Sequence, residues 1–152
     1  PEHTPSQLRY QAFLDTMRQA GHSVPADRIA QGMFTYRSGL LAARELLGQA
    51  TRPTAIFASN DDMAPATIAV AHGMHLQLPE ELAVCGFDDT PVATSVWPQL
   101  TPVHQPITEM AREAVSLLLE QTRARRAGQK FTPQHREMPF SVIARESTQS
   151  AF

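Results

Sequence analysis

The sequence predicts an α/β fold built on a parallel sheet, and three observations carry that expectation. Residues 53–62, PTAIFASNDD, and residues 82–89, LAVCGFDD, are short apolar runs that each end in acidic or amide residues. Each has the length of a strand buried on both faces and is bounded by turn residues. The stretch between them, residues 63–72, is rich in alanine and reads as a helix, with Pro65 in its first turn if Asp61 or Asp62 is the cap. Proline is tolerated there because the N–H groups of a first turn have no partner within the helix. Strand starts near residues 28, 54 and 82 recur at a spacing close to the roughly 30 residues of a βαβ unit. That repetition implies a three-layer arrangement, a parallel sheet with helices on both faces. Small ligands sit outside the carboxyl ends of the strands in such sheets, which is where Asn60, Asp61, Asp88 and Asp89 fall.

Taken in order, residues 4–20 carry Leu8, Phe13, Leu14 and Met17 at near-helical spacing, with Thr4 or Ser6 to cap the start and Gly21 to stop the helix. Residues 28–34 read as a weaker strand through Ile29, Met33 and Phe34. Residues 38–49 read as a helix, with Leu40, Leu41, Leu46 and Leu47 on one broad side and Arg44 and Glu45 opposite. After the second apolar run, residues 90–98 are irregular, with Val92, Val96 and Trp97 expected at the surface, and residues 100–105 form a short extended run. Pro106 opens the strongest helix of the chain, with Ile107, Met110, Ala111, Ala114 and Leu118 in one row and Val115 and Leu119 in a second. Basic residues from Arg123 to Lys130 and Gly128 suit its carboxyl end. Residues 131–145 read as one or two late edge strands, interrupted by Pro133 and Pro139.

Composition narrows the class. A chain of 152 residues with 42% hydrophobic and 18% charged residues has enough apolar material for one domain with a core. A formal charge of −2 gives no general attraction to nucleic acid or membrane. The single cysteine, Cys85, has no partner for an internal disulfide, which fits a reducing compartment. No apolar run approaches the roughly 20 residues needed to span a bilayer, and no signal segment opens the chain. A first residue of Pro1 is read as the mark of a fragment or a processed piece.

Asn60, Asp61 and Asp62 exceed what a helix cap requires, since one residue suffices. Asp88 and Asp89 follow Gly86-Phe87 with no obvious helix behind them, so a turn role is the competing reading. Such carboxylates serve an enzyme as acid, base or magnesium ligand, and serve a binding protein as acceptors for hydroxyl groups. Spacing does not separate these uses. The histidines at 3, 22, 72, 75, 104 and 135 are scattered, without a cysteine cluster or HExxH, and read as solvated. GxSxG, Walker and GxGxxG motifs do not occur. Arg123, Arg125 and Arg126 read as a solvated helix end rather than a nucleic-acid patch. Phe34 and Tyr36 read either as a platform for a sugar ring or as ordinary packing.

Four linked stretches, PTAIFASNDDMA, LPEELAVCGFDDTPVA, WPQLTPVHQPITEMAREAV and the late RES, resemble in order and spacing the lactose-repressor family of bacterial transcription regulators. Members carry a helix-turn-helix DNA-binding domain, a hinge helix and a two-lobed effector domain like periplasmic sugar-binding proteins (type I). The resemblance implies a partial effector-binding domain over residues 1–152. Its carboxy-terminal lobe would be residues 4–104 and 130–147, with residues 105–125 a helix returning toward an amino-terminal lobe outside this chain. Carried over residue by residue, the pattern makes Arg9, Phe34, Asn60, Asp88 and Gln105 ligand contacts. It also makes Ser95, Val96 and Trp97, with the helix starting near Ser38, part of a dimer interface.

An arginine, an amide, a carboxylate and an aromatic face suit a neutral polyhydroxylated ligand, a mono- or oligosaccharide. The expected function is therefore the effector-sensing and dimerising part of a cytoplasmic repressor, a homodimer that meets operator DNA only through a domain outside this chain. No catalytic group, metal, cofactor or membrane contact is expected. The rivals are a periplasmic sugar-binding protein of the same architecture and a flavodoxin-like enzyme using the paired carboxylates with magnesium.

Overall fold

The computed structural model describes residues 4–149. Four helices, α1 (Thr4–Gln19), α2 (Tyr36–Leu47), α3 (Met63–Gly73) and α4 (Ile107–Arg126), accompany four strands. The strands are β1 (Ala55–Phe57), β2 (Ala83–Asp88), β3 (Thr101–His104) and β4 (Ser141–Val142), paired in the order β1-β2-β3-β4. The first three run parallel, with Phe57 opposite Cys85 and Asp88 opposite His104. β4 is antiparallel to β3, His104 facing Ser141. The result is the expected α/β architecture, an open and mostly parallel sheet.

Pleat alternation decides what covers each face. Phe57, Cys85 and Phe87 share one face, and α1 lies on it: Phe13 stacks on Phe57 with ring centroids 5.8 Å apart, and Arg9 lies over Phe87. Ile56 and Val84 share the other face, packed in the core with Ala64, Ile68, Ala43 and Leu47 of α3 and α2. α3 is apolar nearly all round, so it is buried rather than amphipathic. The stripe that α2 turns toward α3 is Gly39, Ala43 and Leu47. A Cβ at position 39 would stand 2.8 Å from the Met63 Cα, so only glycine admits this approach. Thr35 caps α2 through a reciprocal pair with Ser38: each side chain accepts from the other's backbone N–H. α1 stops as expected, Gly21 taking φ +82° while His22 N–H reaches back to Met17 O and Gly21 N–H to Arg18 O.

Residues 145–147 sew the sheet together. Ser147 is fully buried; its Oγ donates to Val84 O at 2.6 Å and accepts from Thr101 N at 2.8 Å. Its backbone carbonyl accepts from Val84 N, so one residue joins the starts of β2 and β3. Glu146 Oε2 accepts from Gln99 N, and the Arg145 backbone N–H donates to Thr101 Oγ1.

Three expectations are corrected. Residues 28–34 are not a strand: Ala26–Arg28 is a 3₁₀ turn, and the extended stretch behind it pairs with no strand. The short extended run expected at 100–105 is the third parallel strand. It tolerates Pro102 because the missing N–H faces β4, which has only two residues to pair. The late strands shrink to those two residues, Ser141–Val142. Val96, expected at the surface with Trp97, packs against the core, while Trp97 is 76% exposed. No residue of α4 is fully buried, and Ile107, Val115, Leu118 and Leu119 are all more than half exposed.

Candidate functional site

Parallel pairing brings the carboxyl ends of β1, β2 and β3 to one edge. Residues 59–61, 88–89 and 104–105 lie at or just beyond those ends. α1 crosses above, and Arg9 reaches down from it. Its Nη1 donates to Ser59 O at 2.7 Å, its Nη2 stands 3.8 Å from Asp88 Oδ1, and its guanidinium carbon lies 3.8 Å from the Phe87 ring centre. The stacked, hydrogen-bonded guanidinium is thereby oriented as a flat donor array, which a lysine would not reproduce. Gln105 Nε2 donates to the same Asp88 oxygen at 2.6 Å. Arg9 and Asp88 are each about one-fifth exposed, enough to meet a ligand while shielded on one side.

Asn60 forms a second part of the site beside the first. Its Oδ1 accepts from Met63 N–H at 3.1 Å and so caps α3, a role expected of Asp61 or Asp62. Its Nδ2 donates to Phe34 O at 3.2 Å. Phe34 sits at φ +56°, rare for a bulky side chain, and this hydrogen bond helps to hold it there. The five expected ligand residues thus lie on one path of contacts: Phe34, Asn60, Ser59, Arg9, Asp88, Gln105.

Asp61 turns inward instead. It is 1% exposed, its Oδ2 accepting from Thr90 N at 2.6 Å and Thr90 Oγ1 at 3.2 Å, while its Oδ1 has no hydrogen-bond partner. Burial pushes its carboxyl pKa up; the two Thr90 hydrogen bonds oppose the shift, and the charges of Asp88 and Asp89 add to it. Burial also pushes the Cys85 thiol up, with Asp61 contributing.

Two partners of Asp89 escaped the sequence reading. Asp89 Oδ1 accepts from Arg145 Nη2 at 2.8 Å, and His104 Nδ1 stands 2.9 Å from Asp89 Oδ2. His104 is therefore paired rather than simply solvated. The partners are 15 and 56 residues away along the chain, beyond any local pattern. The RES stretch and the strand-end position of His104 were the available signals.

A cavity of about 800 Å³ lies beside this edge rather than on it, between α1, the unpaired stretch 29–34, α2 and β1. Of the five expected ligand residues only Phe34 lines it. The expected dimer residues lie elsewhere: Trp97 stacks on His72 near the carboxyl end of α3, with ring centres 5.5 Å apart, and Ser95 is exposed nearby in sequence. α3 starts at the carboxyl edge of the sheet and has 11 residues, which separates the two regions by roughly 16 Å. Among the described residues no group of three or more His, Cys, Asp or Glu side chains is placed to hold a metal ion, and no helix is long and apolar enough to cross a membrane.

A family profile described as the periplasmic binding protein-like domain matches residues 1–148. The "Ribose operon repressor" of Escherichia coli (strain K12) is 35% identical over 116 residues, 76% of this chain and 35% of that protein. The "HTH-type transcriptional repressor CytR" of the same strain is 35% identical over 151 residues, 99% of this chain and 43% of that protein. The chain thus spans less than half the length of these relatives. Among solved structures, a transcriptional regulator CelR–cellobiose complex is 34% identical with TM-score 0.82, covering 91% of this chain and 41% of that one. A LacI family transcriptional regulator from Lactobacillus casei with bound sucrose is 30% identical with TM-score 0.80, covering 93% of this chain and 51% of that one.

Proposed function

Because the chain belongs to the periplasmic binding protein-like domain family, in its branch of LacI-type transcriptional regulators, we propose that it is the effector-sensing part of a repressor whose effector is a neutral saccharide. The observation that carries this reading is the convergence of Arg9, Asp88 and Gln105 at the carboxyl edge of the sheet, next to Phe34 held by Asn60. The guanidinium and amides donate to hydroxyl oxygens, the carboxylate accepts from hydroxyl groups, and the phenyl ring covers the apolar C–H face of a sugar. The cellobiose and sucrose bound to two structural relatives support the saccharide class. No redox or group-transfer step is part of this role.

On this reading residues 4–104 and 130–147 form one lobe, and α4 (residues 107–126) carries the chain toward a second lobe whose surface covers the exposed apolar row of the helix. Effector bound between the lobes selects one of their arrangements. A symmetric dimer formed through Ser95, Val96 and Trp97 passes that choice to DNA-reading domains outside this chain. The effector acts only through its differential affinity: turning a 1:99 population into 99:1 takes about 10⁴-fold preference for one state. The repressor would act in the cytoplasm, where its operator lies.

A thermal-shift series on the complete protein tests this with ribose, cellobiose, sucrose and other mono- and disaccharides, repeated on Arg9→Ala and Asp88→Ala. A saccharide that raises the melting temperature of the wild type and of neither variant supports the site. Equal shifts in all three proteins, or no shift with any sugar, would sink it.

A further inference from the structure

We propose that Asp89 is a positioning residue for the effector site: clamped by Arg145 and His104, it fixes the turn that aims the Asp88 carboxylate at Arg9 and Gln105. The inference deepens the reading of Asp88 as an effector contact and rests on it.

β2 ends in two consecutive non-glycine residues at positive φ, Asp88 at +112° and Asp89 at +61°. L-residues rarely adopt such angles, and they persist where the surroundings over-determine them. Asp88 by itself has few restraints: Gln105 supplies a side-chain donor at 2.6 Å and a long backbone contact at 3.4 Å, and Arg9 stands 3.8 Å away. All come from Gln105, where the chain enters α4, or from the long side chain of Arg9 reaching down from α1.

Asp89 is held far more firmly. Arg145 Nη2 donates to its Oδ1, and the same guanidinium donates through Nη1 to Leu100 O at 2.9 Å. The Arg145 backbone is itself fixed by Thr101 Oγ1 at 2.7 Å. His104, opposite Asp88 in the β2–β3 ladder, takes the other oxygen. Asp89 is therefore anchored from the end of β3 and from the tail clipped across the sheet, two elements that do not touch the effector in the proposed pose.

With both oxygens engaged and its side chain 13% exposed, Asp89 has little left for a ligand. Its chemistry fits a clamp: a carboxylate accepts from both partners at once. An asparagine of the same size loses the charge that attracts Arg145 and, with its oxygen on Arg145, turns its amide N–H toward His104, which can then answer only as the Nε2–H tautomer.

The test uses the complete protein as Asp89→Asn and His104→Ala, each alone and combined with Asp88→Asn. Affinities for cellobiose and sucrose are read by calorimetry well below the melting temperature, and ligand-free crystal structures give the residue 88 φ angle and the Asp88–Gln105 distance. The expected result is affinity about tenfold weaker in Asp89→Asn, with little further loss once Asp88 is already Asn. Residue 88 should leave its left-handed angle and lose the 2.6 Å contact. Equal losses in both backgrounds, or an unmoved residue 88 in the variant structure, would overturn the proposal, as would a lower melting temperature with unchanged affinity. If neither sugar binds the wild type, affinity is read with the saccharide found in the thermal-shift series; if that series finds none, the proposed ligand class fails while the crystal geometry still decides the clamp. If Asp89→Asn does not fold, His104→Ala is read in the same way, with a smaller loss because one support remains.

Discussion

Asp61 is the least well satisfied polar residue at the strand ends. It is buried with one carboxylate oxygen unpartnered, and its pKa is raised chiefly by that burial. A raised pKa means that the folded chain keeps the Asp61 proton to higher pH than the unfolded chain does. Its contribution to stability is therefore most favourable below the ordinary carboxylate range near 4, and is lost as pH rises toward the folded value. Asp61→Asn keeps an acceptor for the two Thr90 donors but has no charge to bury. Urea denaturation across pH should show wild-type stability falling relative to Asp61→Asn as pH rises, by about 1.4 kcal/mol for each pKa unit of the shift. A difference that stays flat with pH would mean that Asp61 is not buried as described. Local sequence held part of this: an amide and two acids at a strand tip announced special residues. Which of them caps α3 and which turns inward depends on Thr90 and Phe34, each more than 25 residues away.

At the scale of elements, β1, α3 and β2 were legible because turn residues bound each apolar run and the buried helix is alanine-rich. The stretch 28–34 was read as a strand on three apolar residues, yet Phe34 takes a left-handed angle and no β1 ladder bonds form. β3 was read only as extended, since nothing local distinguishes a parallel centre strand carrying Pro102 from a loop. Its place is fixed from a distance by Ser147, which bonds Val84 O and Thr101 N in a fully buried position. Ser147→Ala leaves both groups buried with one partner fewer, and should lower unfolding stability by about 2–3 kcal/mol in denaturant titration. A loss within the roughly 0.5 kcal/mol typical of surface changes would deny the clip its role.

At the scale of the whole molecule, two apolar surfaces stand on different parts of the fold. The α4 row belongs to the proposed contact with a second lobe, and the Trp97–His72 stack to contact with a second copy. They are separable by experiment. Trp97→Arg should shift the complete protein from dimer toward monomer in sedimentation, with Kd raised at least about tenfold and saccharide affinity kept. A dimer that ignores the change would move the interface elsewhere. The roles proposed for both surfaces come from the resemblance in the four sequence stretches; helical periodicity alone marks the α4 row without saying what lies against it.

The tail that joins the starts of β2 and β3 has a consequence for how the protein comes into being. Arg145, Glu146 and Ser147 follow every strand in chain order, yet they complete the hydrogen bonding of the sheet's two central ones. During synthesis β2 and β3 emerge and meet with Val84 and Thr101 still lacking these partners, so the sheet is completed only once residues 145–147 have been made. A ribosome that stops before Arg145 releases a chain with β1 to β4 but without the residues that clip β2 to β3, a natural substrate for quality-control proteases.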